Sequence, residues 1–218
     1  MQLPNSAYLD NPNLIIVNCS QRVEEELLFE KFSVGGETLN TSLLDAMSRL
    51  LSDSEMNGYH ITLVSGYRSI SYQKQLFSHS VSDKVKLGYS YEEAKTMVLA
   101  YSQMAGASEH HTGLAVDLID SEYLNQRKDL YDDVDQLPSQ QWLMEHASAY
   151  GFVLRYPKDK VSSTQINYEP WHFRFVGLEN AEYMSNHNLS LEEYVNQIKQ
   201  NQRLNLWIHT QYNNQERL

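Results

Sequence analysis

The sequence predicts an α+β fold: a small, mainly antiparallel sheet with helices packed on it. Three observations point there. Segments of strand-like composition, YHITLVSGY (59–67) and FVLRY (152–156), alternate with segments whose apolar residues recur at helical spacing. Their order has no regular strand–helix–strand period and no internal repeat. The length of 218 residues and the 41% hydrophobic content suit the core of one domain.

Taken in order, NLIIVN (13–18) reads as a short buried strand, with Cys19 behind it as a small core residue. Over 38–52, Leu39, Leu43, Leu44, Met47, Leu50 and Leu51 form one apolar helix face. The strand at 59–67 runs through Gly66 into a loop, and SYQKQLF (71–77) starts a helix. Ser90 and Glu93 have capping-box spacing, with Ala94, Met97, Val98 and Tyr101 as the buried face behind them. A helix over 139–150 follows, capped by Ser139 after Pro138 and closed by Gly151. FVLRY and INYEPWHFRFVG (166–177) are strands. Ser190 and Glu193 form a second capping box, opening a helix that buries Leu191, Tyr194, Val195 and Ile198. One domain is expected over 1–200. Residues 201–218 are polar, either a frayed tail or a last helix docked through Leu204, Trp207 and Ile208.

The net charge of −11 argues against nucleic acid or an anionic membrane as partner, because phosphate binding needs clustered Lys and Arg. The single cysteine excludes an internal disulfide and a sulfur-rich zinc site, so any metal is held by His, Asp or Glu. The first residues lack the basic and apolar regions of a signal peptide, and no apolar run approaches the roughly 20 residues of a membrane span. Either the protein stays in the cytoplasm or an export segment has been removed. A monomer is expected.

Chemistry concentrates in SEHHTGLAVDL (108–118). Leu114, Val116 and Leu118 alternate with Ala115, Asp117 and Ile119, which is strand periodicity with a carboxylate inside it. A buried carboxylate needs a partner, either Arg or Lys or a metal. His110 lies seven residues earlier, about 23 Å in full extension, so the two meet at one ion only if the chain turns at Thr112-Gly113. In YEPWHFRFVG, Trp171, Phe173 and Phe175 form a core face and His172 and Arg174 the opposite one. Pro170 biases Glu169 toward extended backbone, so Glu169 and His172 share a cleft only if the chain bends at the strand entry. Otherwise His172 is a satisfied structural histidine. In SGYRS (65–69), Arg68 is either a solvated cation or a carboxylate clamp.

Together SGYRS with the following Gln73, SEHxTGLAVDL, YGFVLRYP and EPWHFRFVG resemble the VanY-type D-alanyl-D-alanine carboxypeptidases, zinc peptidases of bacterial peptidoglycan. The related VanXY-type dipeptidase/carboxypeptidases and LdcB-type L,D-carboxypeptidases share these motifs. The resemblance covers residues 59–198 and implies the Hedgehog/DD-peptidase-like zinc peptidase fold. It implies His110, Asp117 and His172 as ligands of one Zn2+ ion and Glu169 as the catalytic carboxylate. It implies Arg68 as a group that binds substrate or stabilises its charge, and Gln73, Ser108 and Tyr156 as pocket residues. His111 stands where relatives commonly carry Gln, as a substrate contact or a polar loop residue. AGASEH departs from the Pro-Gly-containing run usual there.

The implied reaction removes the terminal D-Ala from D-Ala-D-Ala stem peptides or their precursors, with the free dipeptide as a further substrate. L,D-cleavage of tetrapeptide stems is the alternative, and a non-catalytic zinc-stabilised binding module the remote one. An enzyme acting on the wall would work outside the cytoplasmic membrane; a VanXY-like one would work in the cytoplasm.

Overall fold

The computed structural model describes residues 2–215, with side chains through residue 204. A hairpin comes first: β1 (Lys31–Val34) and β2 (Glu37–Asn40), joined through Gly35 and Gly36. The main sheet has four antiparallel strands in the order β3 (Ile61–Ser65), β4 (Ala115–Asp120), β6 (His172–Phe175), β5 (Phe152–Leu154). Helices α1 (Leu44–Met56), α2 (Ile70–Lys86) and α3 (Tyr91–Leu99) come before β4. After it come α4 (Ser121–Arg127), α5 (Pro138–His146), α6 (Val161–Thr164), α7 (Leu178–Asn186) and α8 (Leu191–Gln215). The α+β expectation holds.

The alternation in β4 divides the sheet into two faces. Leu114, Val116 and Leu118 join Phe173 and Phe175 of β6 in a core with Leu39, Met47, Leu50 and Leu143. The other face carries Ala115, Asp117, His172 and Arg174, and it is buried too. The register places Asp117 beside His172 and small Ala115 beside bulky Arg174. A second core joins Leu14 and Val176 to α7 and α8; a third closes the α2–α3 pair through Phe77, Val81, Ala94 and Val98.

Both capping boxes form. The Ser90 hydroxyl accepts from the Glu93 N–H at 3.3 Å while the Glu93 carboxylate accepts from the Ser90 N–H at 2.9 Å. Ser190 and Glu193 repeat this at 3.2 and 2.8 Å. Gly151 takes the expected left-handed conformation.

Several local expectations are corrected. Residues 13–18 form no strand; a 3-10 turn at Pro12–Leu14 begins there, and Leu14 and Val17 are buried from an irregular segment. Cys19 is exposed, not core, and contacts Gln165. The helix expected over 38–52 begins only at Leu44, because 37–40 pair as a strand. Leu137, not Ser139, precedes α5; Pro138 occupies its first turn, where a missing N–H costs nothing, and the Ser139 hydroxyl donates to Asp120. The strand expected over 166–177 shrinks to four residues, and Trp171 lies in the turn before it, half-buried. Helix α8 runs past residue 200 without a break; Leu204 on it is exposed, and the side chains of Trp207 and Ile208 lie outside the described residues.

Candidate active site

Three elements converge. Residues 109–112 form a 3-10 turn that Gly113 ends at φ +65, reversing the chain into β4. A β-carbon there would sit 2.6 Å from the Phe29 ring, so this turn needs glycine for both its conformation and its packing. Beside β4, the β3 pairing slips between Leu63 and Ser65, an irregularity that re-aims the chain leading to Arg68. Gly66 then passes so close to β2 that a β-carbon would lie 2.5 Å from the Thr38 carbonyl oxygen. Third, the His172 N–H donates to the Glu169 carbonyl at 3.2 Å, so Pro170 and Trp171 form the bend that brings Glu169 over β6.

The result gathers His110, Asp117 and His172, all buried, with one potential ligand atom of each within 4.8 Å of the others. Each histidine is oriented by its second nitrogen. His110 Nδ1–H donates to the Gly66 carbonyl at 2.7 Å, leaving Nε2 bare, 3.4 Å from Asp117 Oδ2. His172 Nε2 faces Glu109 Oε2 at 3.3 Å, leaving Nδ1 3.1 Å from Asp117 Oδ1. That last approach is off the line of a hydrogen bond, and Asp117 Oδ1 has no hydrogen-bond partner among the described residues. Two ring nitrogens turned toward a carboxylate with an unpartnered oxygen fit a cation better than they fit each other.

Of the two partners weighed for Asp117, the arginine is present, and room is left for the other. Its Oδ2 accepts from Arg68 Nη2 at 3.0 Å, and Oδ1 remains for an ion. Arg68 is steadied further by Ser65 Oγ, which accepts from its Nε at 2.9 Å. Ser69 caps α2, its hydroxyl accepting from the Tyr72 N–H.

Burial lowers His110 to about 4, with Arg68 adding to the shift, so its ring is neutral at pH 7. Burial also disfavours a charged His172, but contacts with Asp117 and Glu109 outweigh it and raise this ring to about 9. Burial pushes the Glu169 carboxyl up to about 8; His172 and Arg68 oppose the shift, while Asp117 and Glu109 reinforce it. Glu169 Oε2 lies 3.6 Å from His172 Nδ1, at the edge of the cluster.

The cluster opens into a cleft of about 900 Å3. Arg68, Gln73, Ser108, Tyr156 and Glu169 all line it, so every expected site residue is in one place. Gln73 is fixed by donating to the Gln103 carbonyl at 2.6 Å, and the Tyr156 ring lies 4.8 Å from the His172 ring. Beyond Gln73, the wall follows one stripe of α2 through Leu76 and Ser80 to Lys84. Eleven residues of helix give this stripe a length of about 16 Å.

His111 does not line the cleft; it is a polar residue of the 109–112 turn. It is fully buried; Nδ1–H donates to the Arg68 carbonyl at 2.7 Å and Nε2 accepts from the Gly106 N–H at 3.0 Å. It clips the loop before the ligands to the loop carrying Arg68. Sequence reasoning also passed over Glu109, Arg155 and Arg174, which pair behind His172. A signal was present for two of them: Arg155 in FVLRY and Arg174 in FRFVG stand inside otherwise apolar segments.

A buried two-histidine, one-carboxylate cluster with a carboxyl group at its open side defines a mononuclear metallohydrolase type of site. The chain belongs to the VanY D-alanyl-D-alanine carboxypeptidase family, whose model matches residues 36–178. It is 37% identical over 155 residues to YodJ of Bacillus subtilis (strain 168), covering 71% of this chain and 52% of that protein. It is 30% identical over 189 residues to a D-alanyl-D-alanine carboxypeptidase of Enterococcus faecalis (strain ATCC 700802 / V583), covering 86% of this chain and 67% of that one. Among solved structures, a mutant of the vancomycin-resistance D,D-pentapeptidase VanY in complex with Zn(II) superposes with a TM-score of 0.74 at 29% identity. That match covers 84% of this chain and 99% of the other. The chain thus spans about half of YodJ's length and two thirds of the Enterococcus relative's.

Proposed function

We propose that this chain is a zinc-dependent D,D-carboxypeptidase that removes the terminal D-Ala from peptidoglycan stem peptides or their precursors. The observation that carries the reading is the buried cluster of His110, Asp117 and His172 around an unpartnered Asp117 Oδ1, with Glu169 beside it. His110 Nε2, Asp117 Oδ1 and His172 Nδ1 would hold the ion. Bound there, zinc would supply Lewis acidity, polarising a carbonyl and acidifying a water.

The remaining work falls to the chain itself. Glu169 accepts a proton at its carboxylate and returns it to the leaving amine. Burial raises its carboxyl to about 8 even with His172 and Arg68 opposing the shift; a further positive charge in the cluster would lower it toward about 7, where both transfers are easy near pH 7. Arg68, held by Asp117 and Ser65, presents its guanidinium to the cleft, where it can clamp a carboxylate or steady a developing oxyanion. Ser108 and Tyr156 bound the pocket around the scissile bond. All these groups come from one chain, in keeping with a monomer.

The reach of the cleft to Lys84 favours an extended peptide over the free dipeptide, since a carboxypeptidase's leaving group is a single residue and cannot fill it. No helix among the described residues is long and apolar enough to cross a membrane. A substrate in the mature wall puts the work in the cell envelope; a precursor puts it in the cytoplasm.

The test is mass spectrometry of the zinc-loaded protein with pentapeptide and tetrapeptide stems and free D-Ala-D-Ala. Loss of one alanine from the pentapeptide is expected. Cleavage of the tetrapeptide instead reassigns the protein to the L,D class. No cleavage at all, with zinc bound, removes the substrate assignment and leaves a binding module.

A further inference from the structure

Behind His172 lies a buried group of four charges that the proposed reaction does not use. Glu109 Oε1 accepts from Arg155 Nε and from Arg174 Nη1, each at 2.7 Å. Arg155 extends its other two nitrogens to the Glu192 carboxylate of α8, at 2.8 and 2.6 Å. Arg174 Nη2 donates to the carbonyls of Asn13 and Ile15, both at 2.9 Å. Asn18 Nδ2 donates to Glu192 at 3.3 Å, which ties the N-terminal arm to α8 directly. The side chains of Glu109, Arg155 and Arg174 are essentially inaccessible to water.

Two carboxylates and two guanidiniums balance in charge. Such a buried group is a poor source of stability, because desolvation offsets most of its attraction. It does fix an orientation. With Oε1 occupied by two arginines, Glu109 Oε2 faces His172 Nε2 at 3.3 Å. An ionised carboxylate only accepts hydrogen bonds, so Nε2 carries a proton and Nδ1 is the nitrogen left to face a metal. Nδ1 is the nitrogen that faces Asp117.

We propose that Glu109 is a positioning residue for His172, and that the N-terminal arm and α8 set it through Arg174 and Arg155. Asn13, Ile15 and Glu192 all lie outside the stretch 36–178 that matches the family model, yet they support one of its proposed ligands at two removes. The segments flanking the matched core thereby act on metal affinity without touching the metal. This inference rests on the metal reading given above.

The experiment uses the full chain with Glu109→Gln and, at the rim of the group, Glu192→Gln. Zinc affinity is measured by competition with a chromophoric chelator, the fold by circular dichroism, and the protonated ring nitrogen of His172 by NMR of 15N-histidine protein. Glu109→Gln is expected to weaken zinc binding by about 10- to 100-fold, the usual effect of losing an outer-shell partner. The proton on His172 Nε2 should lose its protection from exchange. Glu192→Gln should weaken zinc in the same direction by a smaller factor, with the fold intact. Parent-like zinc affinity and a parent-like His172 ring in folded Glu109→Gln would overturn the proposal. If Glu109→Gln does not fold, Glu192→Gln decides by the same two readouts. If the parent takes up no zinc, the metal reading fails separately, and exchange at His172 Nε2 in parent and variant still tests the positioning role.

Discussion

Replacing His111 by alanine removes two hydrogen bonds at once and connects no new groups. The Arg68 carbonyl and the Gly106 N–H, which the imidazole now bridges, would be left facing each other across a vacated, buried site. An orphaned buried polar group costs about 1–3 kcal/mol, so the pair costs about 2–6 kcal/mol. Both groups lie in loops that can open partway to water, which favours the low half of that range, about 3 kcal/mol. In a chain of this length each kcal/mol moves the melting temperature by about 2–4 °C, so a fall of about 6–12 °C is expected. Glutamine offers one donor and one acceptor, and His111→Gln should recover at least half of the loss. The assay is thermal unfolding of the metal-free protein by circular dichroism, because bound zinc would mask the difference by mass action. A His111→Ala protein melting within about 2 °C of the parent, or a glutamine variant no better than alanine, would refute the bridging argument. The same variant should lose activity beyond its loss of stability, since Arg68 shares the backbone that His111 holds.

Three further outcomes follow from the same geometry. Glu169→Gln should keep zinc and lose about 10²- to 10⁴-fold in kcat, the usual value of a general base; loss of the metal instead would make Glu169 a ligand. Lys84→Glu should raise KM for a pentapeptide by about 3- to 10-fold, as expected for reversing one partly exposed charge, and leave free D-Ala-D-Ala unchanged; equal effects on both would show that the α2 arm of the cleft takes no part in binding. Tyr67 and Tyr150 are raised to about 12 by burial and by the carboxylates of Glu26 and Asp53, and burial also raises Tyr168 and Tyr194. A raised tyrosine stabilises the fold below its ordinary value near 10 and loses that contribution as pH climbs through the folded value. An ultraviolet absorbance titration should therefore resolve an ordinary class and a late class of tyrosines, the late one coinciding with alkaline unfolding; a single step near 10 in the folded protein would contradict the burial of these four.

How much was legible beforehand depends on how local each feature is. The capping boxes at Ser90 and Ser190 form as read, because they depend on two side chains three residues apart. The alternation in 114–119 survives because a strand's two faces are set by its own backbone. NLIIVN reads as a strand and is not one. A short apolar run shows only that something is buried, and here part of its backbone hydrogen-bonds to Arg174 rather than to a sheet. The β1–β2 hairpin went unread although Gly35-Gly36 between strand-like flanks is a turn signal. The burial of His111 was not legible, because only the two loops closing around it bury the ring.

By itself the sequence limited the donor chemistry: with one cysteine, any metal is left to His, Asp or Glu, and it was the resemblance of the motifs that pointed to His110, Asp117, His172 and Glu169. Residue type is enough for the limit, since it decides which atoms can bind a metal; spacing alone left Asp117 and His172 open to structural readings. The tertiary structure decided which nitrogen of each histidine faces Asp117, that Glu109 stands behind His172, and that the cleft continues to Lys84. Those depend on contacts such as Gly66 with His110 and Glu109 with Arg174, 44 and 65 residues apart. Separation along the chain carries no distance in space until the sheet has brought its strands into register.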